Sequence, residues 1–211
     1  MAPPVGVVYP ALDTPPGAFA RRAETLEYES IWVSEGWGDN AVAVLAEMAS
    51  TTEIPRLGTA IVNVFSRTPA LLTMSAMSLD RISDGRFRLG IGASHPSLIE
   101  GLHGVSFERQ ISRIEETIHL VTAYTGSEPV EYNGQIFDVE RYRPQSVDVP
   151  IYNGALGVRN RLLTGRLCDG WIPNQIPVTQ LDSYFEPVAD GARQAGRDPD
   201  EISVTPGSRL R

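Results

Sequence analysis

The sequence predicts an α/β fold built from parallel strands with helices on the outside, and three observations carry that expectation. Short apolar runs recur along the whole chain, and nearly all are followed by a stretch with helical apolar spacing. The runs are continuously apolar rather than alternating, as strands buried on both faces are. With 211 residues, 42% of them hydrophobic, the chain is long enough for one sizeable core, so a single domain over 1–211 is expected. An open doubly wound sheet and a closed TIM-type barrel both fit strict alternation; its unbroken repetition favours the (β/α)8 barrel. Such barrels have eight units and run from about 200 residues upward. Seven strands are visible here, so the barrel is expected to stop short of its last, C-terminal unit.

The elements follow in order. Val5–Tyr9 is the first strand, and Gly17–Glu27 carries Phe19, Ala20, Ala23 and Leu26 on one helical face. Ser30–Ser34 is the second strand and Ala41–Ser50 a helix, with Asp39 expected as its N-cap. Arg56–Val62 is the third strand, and Pro69–Ile82 a helix opened by a proline. Phe87–Ile91 is the fourth strand. Phe107–Tyr124 is a long amphipathic helix with Ile111, Ile114, Ile118 and Val121 on one side. Pro150–Gly154, Gly170–Ile172 and Ile202–Thr205 are the remaining strands, separated by helices over Val158–Leu167 and Val178–Ala195. One stretch breaks the pattern. Residues 128–139 read as an inserted hairpin turning at Asn133-Gly134, the preferred type I′ dipeptide.

Composition excludes several functions. Net charge is −8, from 26 acids against 18 basic residues, and every basic residue is Arg. No basic patch offsets the acids, which disfavours nucleic acid as a partner. A Lys-free, acid-rich chain is the signature of proteins that work in multimolar salt; codon bias is the other explanation. The single cysteine, Cys168, leaves no internal disulfide, and His95, His103 and His119 stand in no metal-ligand spacing. No metal, no leader peptide, no membrane span and a cytoplasmic place are expected.

In a barrel of this kind, chemistry sits at the C-terminal ends of the strands. Those ends hold Tyr9-Pro10, Ser34–Asn40, Ala60–Arg67, Gly92–His95, Gly154–Gly157 and Pro173–Gln175. Gly154-Ala155-Leu156-Gly157-Val158 joins a strand to a helix. It reads either as an ordinary tight turn or as a phosphate cradle, in which glycines let backbone N–H groups approach an anion at a helix start. Arg159 and Asn160 can add donors. Arg67 reads equally as a cofactor contact or an ion-pair partner. Asp80, Asp84, Gly85 and Arg86 read as a tight turn at the opposite end of the barrel.

The segments SIWVSEGWGDNA, RLGTAIVNVFSRTPA, LDRISDGRFRLGIGASHPSLIEGLHGVSFER, PIYNGALGVRN and GRLCDGWIPN, taken together over residues 5 to 205, resemble the luciferase-like monooxygenase family. Within it the chain is similar to F420-dependent oxidoreductases of the methylenetetrahydromethanopterin reductase type. That resemblance implies a deazaflavin cofactor, F420, and hydride transfer between its C5 and a small organic substrate. An FMN-dependent monooxygenase is the alternative, and a non-catalytic, truncated or split cofactor-binding fragment is a third reading. It implies a cofactor phosphate on Gly154, Ala155, Leu156, Gly157 and Val158. It implies a non-prolyl cis peptide at Ala60–Ile61 behind the ring, with Asn63 nearby. It implies a catalytic acid at Glu35, with Gly36 standing where some relatives carry His, and a substrate contact at Trp37. His95 stands near a place where some relatives carry an acid; it reads as a catalytic proton carrier, as histidine side chains commonly are, or as a loop His that contacts a cofactor carbonyl or phosphate, or nothing. The family commonly dimerises, so a homodimer, or a complex with a separate C-terminal fragment, is expected.

Overall fold

The structure, a computed structural model, describes residues 5–10, 14–143 and 146–205. Parallel strands form a continuous path, β1 (Gly6–Val8), β2 (Ser30–Val33), β3 (Arg56–Thr59), β5 (Phe87–Gly92), β8 (Ile151–Asn153), β9 (Gly170–Trp171) and β10 (Ser203–Val204), with the two-residue β4 (Val62–Asn63) also paired to β5. Each neighbouring pair is parallel, with registers such as Trp32 beside Gly58 and Ile91 beside Asn153. Helices α1 (Pro16–Thr25), α2 (Ala41–Thr51), α3 (Pro69–Ile82), α5 (Gln110–Thr125), α6 (Val158–Leu167) and α7 (Leu181–Gln194) follow in the order the apolar spacing predicts. The fold is a TIM-type β/α-barrel, and among the described residues the outer edges of β1 and β10 are unpaired. No helix of the described residues is long and apolar enough to cross a membrane.

Two apolar layers hold the sheet. On its outer face Ile31, Val33, Leu57, Leu89, Ile91 and Ile151 pack against Ala20, Leu45, Met48, Leu72, Leu79, Ile114 and Ile118 of the helices. On the inner face Trp32 of β2 and Tyr152 of β8 meet with ring centroids 5.4 Å apart. In a flat sheet those strands, separated by β3 and β5, would stand about 14 Å apart. The contact therefore records how strongly the sheet curls. Glycines make room for it: a Cβ at Gly58 would lie 2.4 Å from the Trp32 ring, and one at Gly170 2.1 Å from the Tyr152 ring.

Four local readings need correction. The cap of α2 is Asn40, not Asp39; Asn40 Oδ1 accepts N–H bonds from Val42 and Ala43, and Asp39 lies one residue too early to reach them. The third strand breaks at Ala60–Ile61 and resumes as β4. A short helix, α4 (Pro96–Ile99), precedes α5, which starts at Gln110 rather than Phe107. The inserted hairpin runs from β6 (Val130–Asn133) to β7 (Asp138–Tyr142), and its turn is the four residues 134–137 rather than a two-residue Asn-Gly turn. The cause is a carboxylate. Glu116, buried on α5, accepts N–H bonds from Gln135, Ile136 and Phe137 at 2.8, 3.1 and 3.0 Å, and the loop winds around it.

Candidate active site

The cleft of the molecule opens at the C-terminal ends of the strands and has a volume of about 450 Å³. Its apolar surface comes from Val8, Ala60, Ile61, Leu156, Ile172 and Pro173; Ser34, Ser94, His95 and Asn174 supply polar atoms. Clefts of this size with a few converging polar groups are where small ligands bind.

The ledge on one side is Ala60–Ile61, whose peptide bond is cis, where the resemblance implies it. Ser34 Oγ donates to Ala60 O at 2.8 Å, and Glu35 N–H donates to Ile61 O at 3.2 Å. Glu35 reaches the cleft wall, but its carboxylate is engaged. Arg67 meets it with both Nη atoms, the Nη2–Oε2 bond being 2.8 Å, and Ala41 N–H donates to Oε2 at 2.9 Å. Burial pushes this carboxyl up. The Arg67 and Ala41 hydrogen bonds and the charges of Arg67 and His103 outweigh it and hold the group below the usual carboxylate range. Arg67 is thus an ion-pair partner, but in a largely buried pair rather than on the surface, its side chain being 10% exposed.

His95 stands on the cleft wall as the cap of α4. Ser97 N–H donates to its Nδ1 at 3.3 Å and Ser97 Oγ lies 2.9 Å from the same nitrogen. A neutral imidazole that accepts at Nδ1 carries its proton on Nε2. The preceding residue, Ser94, holds φ +66°, an uncommon conformation for a non-glycine residue and one that collects at functional sites.

The segment Gly154–Val158 divides. Gly154 and Leu156 line the cleft, and a Cβ at Gly154 would touch Ile61 at 3.0 Å, so the segment abuts the ledge. Ala155 is buried, its carbonyl accepting the Trp171 indole N–H at 2.8 Å. Gly157 is the N-cap of α6 and Val158 its first residue; no side chain caps this helix. The first turn holds no acid; Arg159 stands in it, while Arg161 is buried, donating to Tyr184 O with its guanidinium 4.7 Å from the Tyr184 ring centre. A positive side chain at the positive end of a helix with no side-chain cap is unfavourable, and an anion there relieves it. Gly157 has φ −72° and open space around a notional Cβ, so the fold itself does not require glycine there.

Two other expected site residues lie outside the cleft. Asn63 is buried and its Oδ1 accepts N–H bonds from Phe65 and Ser66 at 3.0 and 2.7 Å, shaping the loop that presents Arg67. Trp37 is 79% exposed on the bend between β2 and α2. Sequence reasoning did not single out Ser34 as a support of the ledge. The contact joins two strand ends 26 residues apart, and no local pattern marks it.

The model of the luciferase-like monooxygenase family matches residues 16–210. A Mycobacterium tuberculosis protein described as a coenzyme F420-dependent oxidoreductase is 31% identical over 203 residues, 87% of this chain and 58% of that protein. The 5,10-methylenetetrahydromethanopterin reductase of Methanolobus tindarius is 30% identical over 189 residues, 88% of this chain and 58% of that protein. The chain therefore spans 58% of the length of each of these curated relatives. Among solved structures, the coenzyme F420-dependent tetrahydromethanopterin reductase of Methanopyrus kandleri superposes with a TM-score of 0.87 at 24% identity, over 96% of this chain and 64% of that one, which shows the shared fold. On the match to residues 16–210, the chain belongs to the luciferase-like monooxygenase family.

Proposed function

We propose that the chain is the cofactor-holding part of an F420-dependent oxidoreductase that transfers a hydride between the deazaflavin and a small organic substrate. The observation that carries the reading is the start of α6: a helix N-terminus with no side-chain cap, Arg159 in its first turn and a glycine the fold does not need, reached through Gly154, which abuts the Ala60–Ile61 ledge. It fits a ligand with a flat ring on the ledge and an anionic group at the helix. The names of the two similar proteins support F420 as that ligand. When bound, F420 would supply the carbon that accepts or donates hydride, and the protein binds, orients and shields it.

The residues divide the work. Gly154 and the N–H groups around Gly157 hold the anionic tail. Ala60, Ile61 and Ile172 form an apolar seat that excludes water from one ring face. His95 stands on the cleft wall, where its imidazole can pass a proton to or from the substrate. The acid-rich, Lys-free surface fits work in concentrated salt, and the open edges of β1 and β10 fit an assembly, as a homodimer or with a separate C-terminal fragment.

Titrating F420 and FMN side by side at high salt, followed by absorbance and fluorescence, tests the reading. Saturable F420 binding with weaker FMN binding is expected. Tight FMN binding without F420 binding would turn the reading to a flavin monooxygenase, and binding of neither would remove the cofactor reading.

A further inference from the structure

The Ala60–Ile61 ledge is held by the segment that follows β2. Ala60 N–H donates to Val33 O at 2.8 Å, and the Ser34 and Glu35 bonds hold the two carbonyls. These bonds position the ledge only as firmly as residues 33–36 are themselves held, and that segment runs straight into an exposed bend. The Glu35 side chain supplies the restraint. Its two oxygens take three donors, Arg67 Nη1, Arg67 Nη2 and Ala41 N–H, and the Arg67 and Glu35 side chains are only 10% and 12% exposed. Arg67 is anchored in turn. Asn63 Oδ1 fixes the turn before it, and Phe65 in that turn stacks on Phe107 at 5.1 Å, with the Arg113 guanidinium 4.9 Å from its ring centre. Backbone and side-chain bonds thus form a closed ring from Ile61 through Arg67 and Glu35 back to the ledge.

We infer that Glu35 and Arg67 are positioning residues, a clamp that holds the Ala60–Ile61 ledge in place, and that Glu35 does not carry a proton to or from a ligand. The inference deepens the cofactor reading and rests on it for what the ledge holds. Three donors already fill both lone pairs of Glu35 Oε2 and one of Oε1, and protonating the carboxylate would break charge-assisted bonds. The charges that face it, Arg67 and His103, both favour the ionised form. His95 is then the other titratable side chain on the described cleft wall, and proton exchange falls to it.

The test pairs ¹³C NMR of glutamate carboxyls with fluorescence titration of F420 in high salt, on the wild type, E35Q, R67Q and E35Q/R67Q. In the ligand-free wild type the Glu35 carboxyl is expected to titrate below the ordinary glutamate range, and to move up in R67Q. The Ala60 and Ile61 amide signals shift in both single variants. Each single variant weakens F420 binding about tenfold, and the double variant is no weaker than either, the non-additivity expected of one shared contact. A wild-type carboxyl that titrates at or above the ordinary value overturns the clamp. So do additive losses, or unchanged F420 affinity in both single variants. If the wild type binds no F420, the cofactor reading fails by itself, while the carboxyl titration and the ledge signals still decide the clamp. Should a single variant fail to fold, the wild-type titration and the double variant, which buries no lone charge, give the answer.

Discussion

The two ends of the barrel use the same kinds of residue for opposite purposes. At the N-terminal ends of the strands, charged side chains close backbone groups. Arg86 donates to the carbonyls of Thr52, Pro55 and Ala49 at 2.7, 2.8 and 3.2 Å. Glu24 Oε1 accepts the N–H groups of Glu53 and Ile54, both at 2.8 Å, and Asp169 Oδ2 that of Ile151 at 2.8 Å. Arg197 donates to the carbonyls of Gly165 and Cys168 at the end of α6. At the C-terminal ends, α2 and α3 are capped by Asn40 and Thr68, but α6 is left with Arg159 in its first turn and no side-chain cap. Side chains cap α2, α3 and the short α4 at this end, whereas α1, α5, α6 and α7 start without a side-chain cap, so the C-terminal end is closed less completely than the other. The fold in general keeps stability at one end and binding at the other, and the cleft of this chain lies at the second.

Substitutions at the two ends should separate these properties. The largest effect is expected from Arg86→Gln, which takes charged donors from three carbonyls; about 3 kcal/mol of stability should be lost, the order of one or two bonds to a charged group. Urea denaturation would show the loss, with F420 affinity of the folded protein unchanged; a parallel loss of affinity would mean that the ends are not independent. Gly157→Val should do the reverse. Cofactor affinity falls at least about tenfold because the backbone can no longer be approached, while stability drops by less than about 1 kcal/mol, the scale of an N-cap change. Undiminished affinity in a folded Gly157→Val protein would place the anion elsewhere.

The smallest and most diffuse effect concerns salt. With a net charge of −8, self-repulsion acts over about 30 Å at 0.01 M salt and about 3 Å at 1 M. The melting temperature should climb by several degrees between those limits and keep rising in multimolar salt, with the Arg86→Gln deficit constant throughout. A flat profile would leave codon bias as the account of the missing Lys. Light scattering on the same samples should show a species larger than a monomer, because edges such as those of β1 and β10 pair readily with other chains.

The barrel was legible because its signal is local and repeated. Val158–Leu167 and Pro69–Ile82 appear in the structure with the bounds that periodicity predicts. Failures came where a distant group overrode a local preference. Asn133-Gly134 has the right residues for a two-residue turn, yet the Glu116 carboxylate, 19 residues back from Gln135, draws the loop wider. Asp39 and Asn40 are equally good caps by type, and only the path of the chain chooses between them. In the site, the turn at Gly154–Gly157 and the position of His95 could be read from strand ends. The engagement of Glu35 by Arg67 joins residues 32 apart, and a single sequence holds no record of that contact.

The grip of Glu116 on the hairpin has a consequence for how freely this part of the chain can change. The carboxylate holds three backbone N–H groups and makes no demand on the side chains of Gln135, Ile136 or Phe137. Its strict requirement falls on Gly134, where a Cβ would lie 2.3 Å from Glu116 Oε2. The insertion is therefore open to change only at its outward positions. Glu116 and Gly134 hold the loop, Phe137 and Val139 pack with Leu120, Tyr124 and Val130, and Tyr142 meets the Tyr124 ring at 5.2 Å, which leaves exposed residues such as Glu140 and Arg141 open to rewriting by drift or by design.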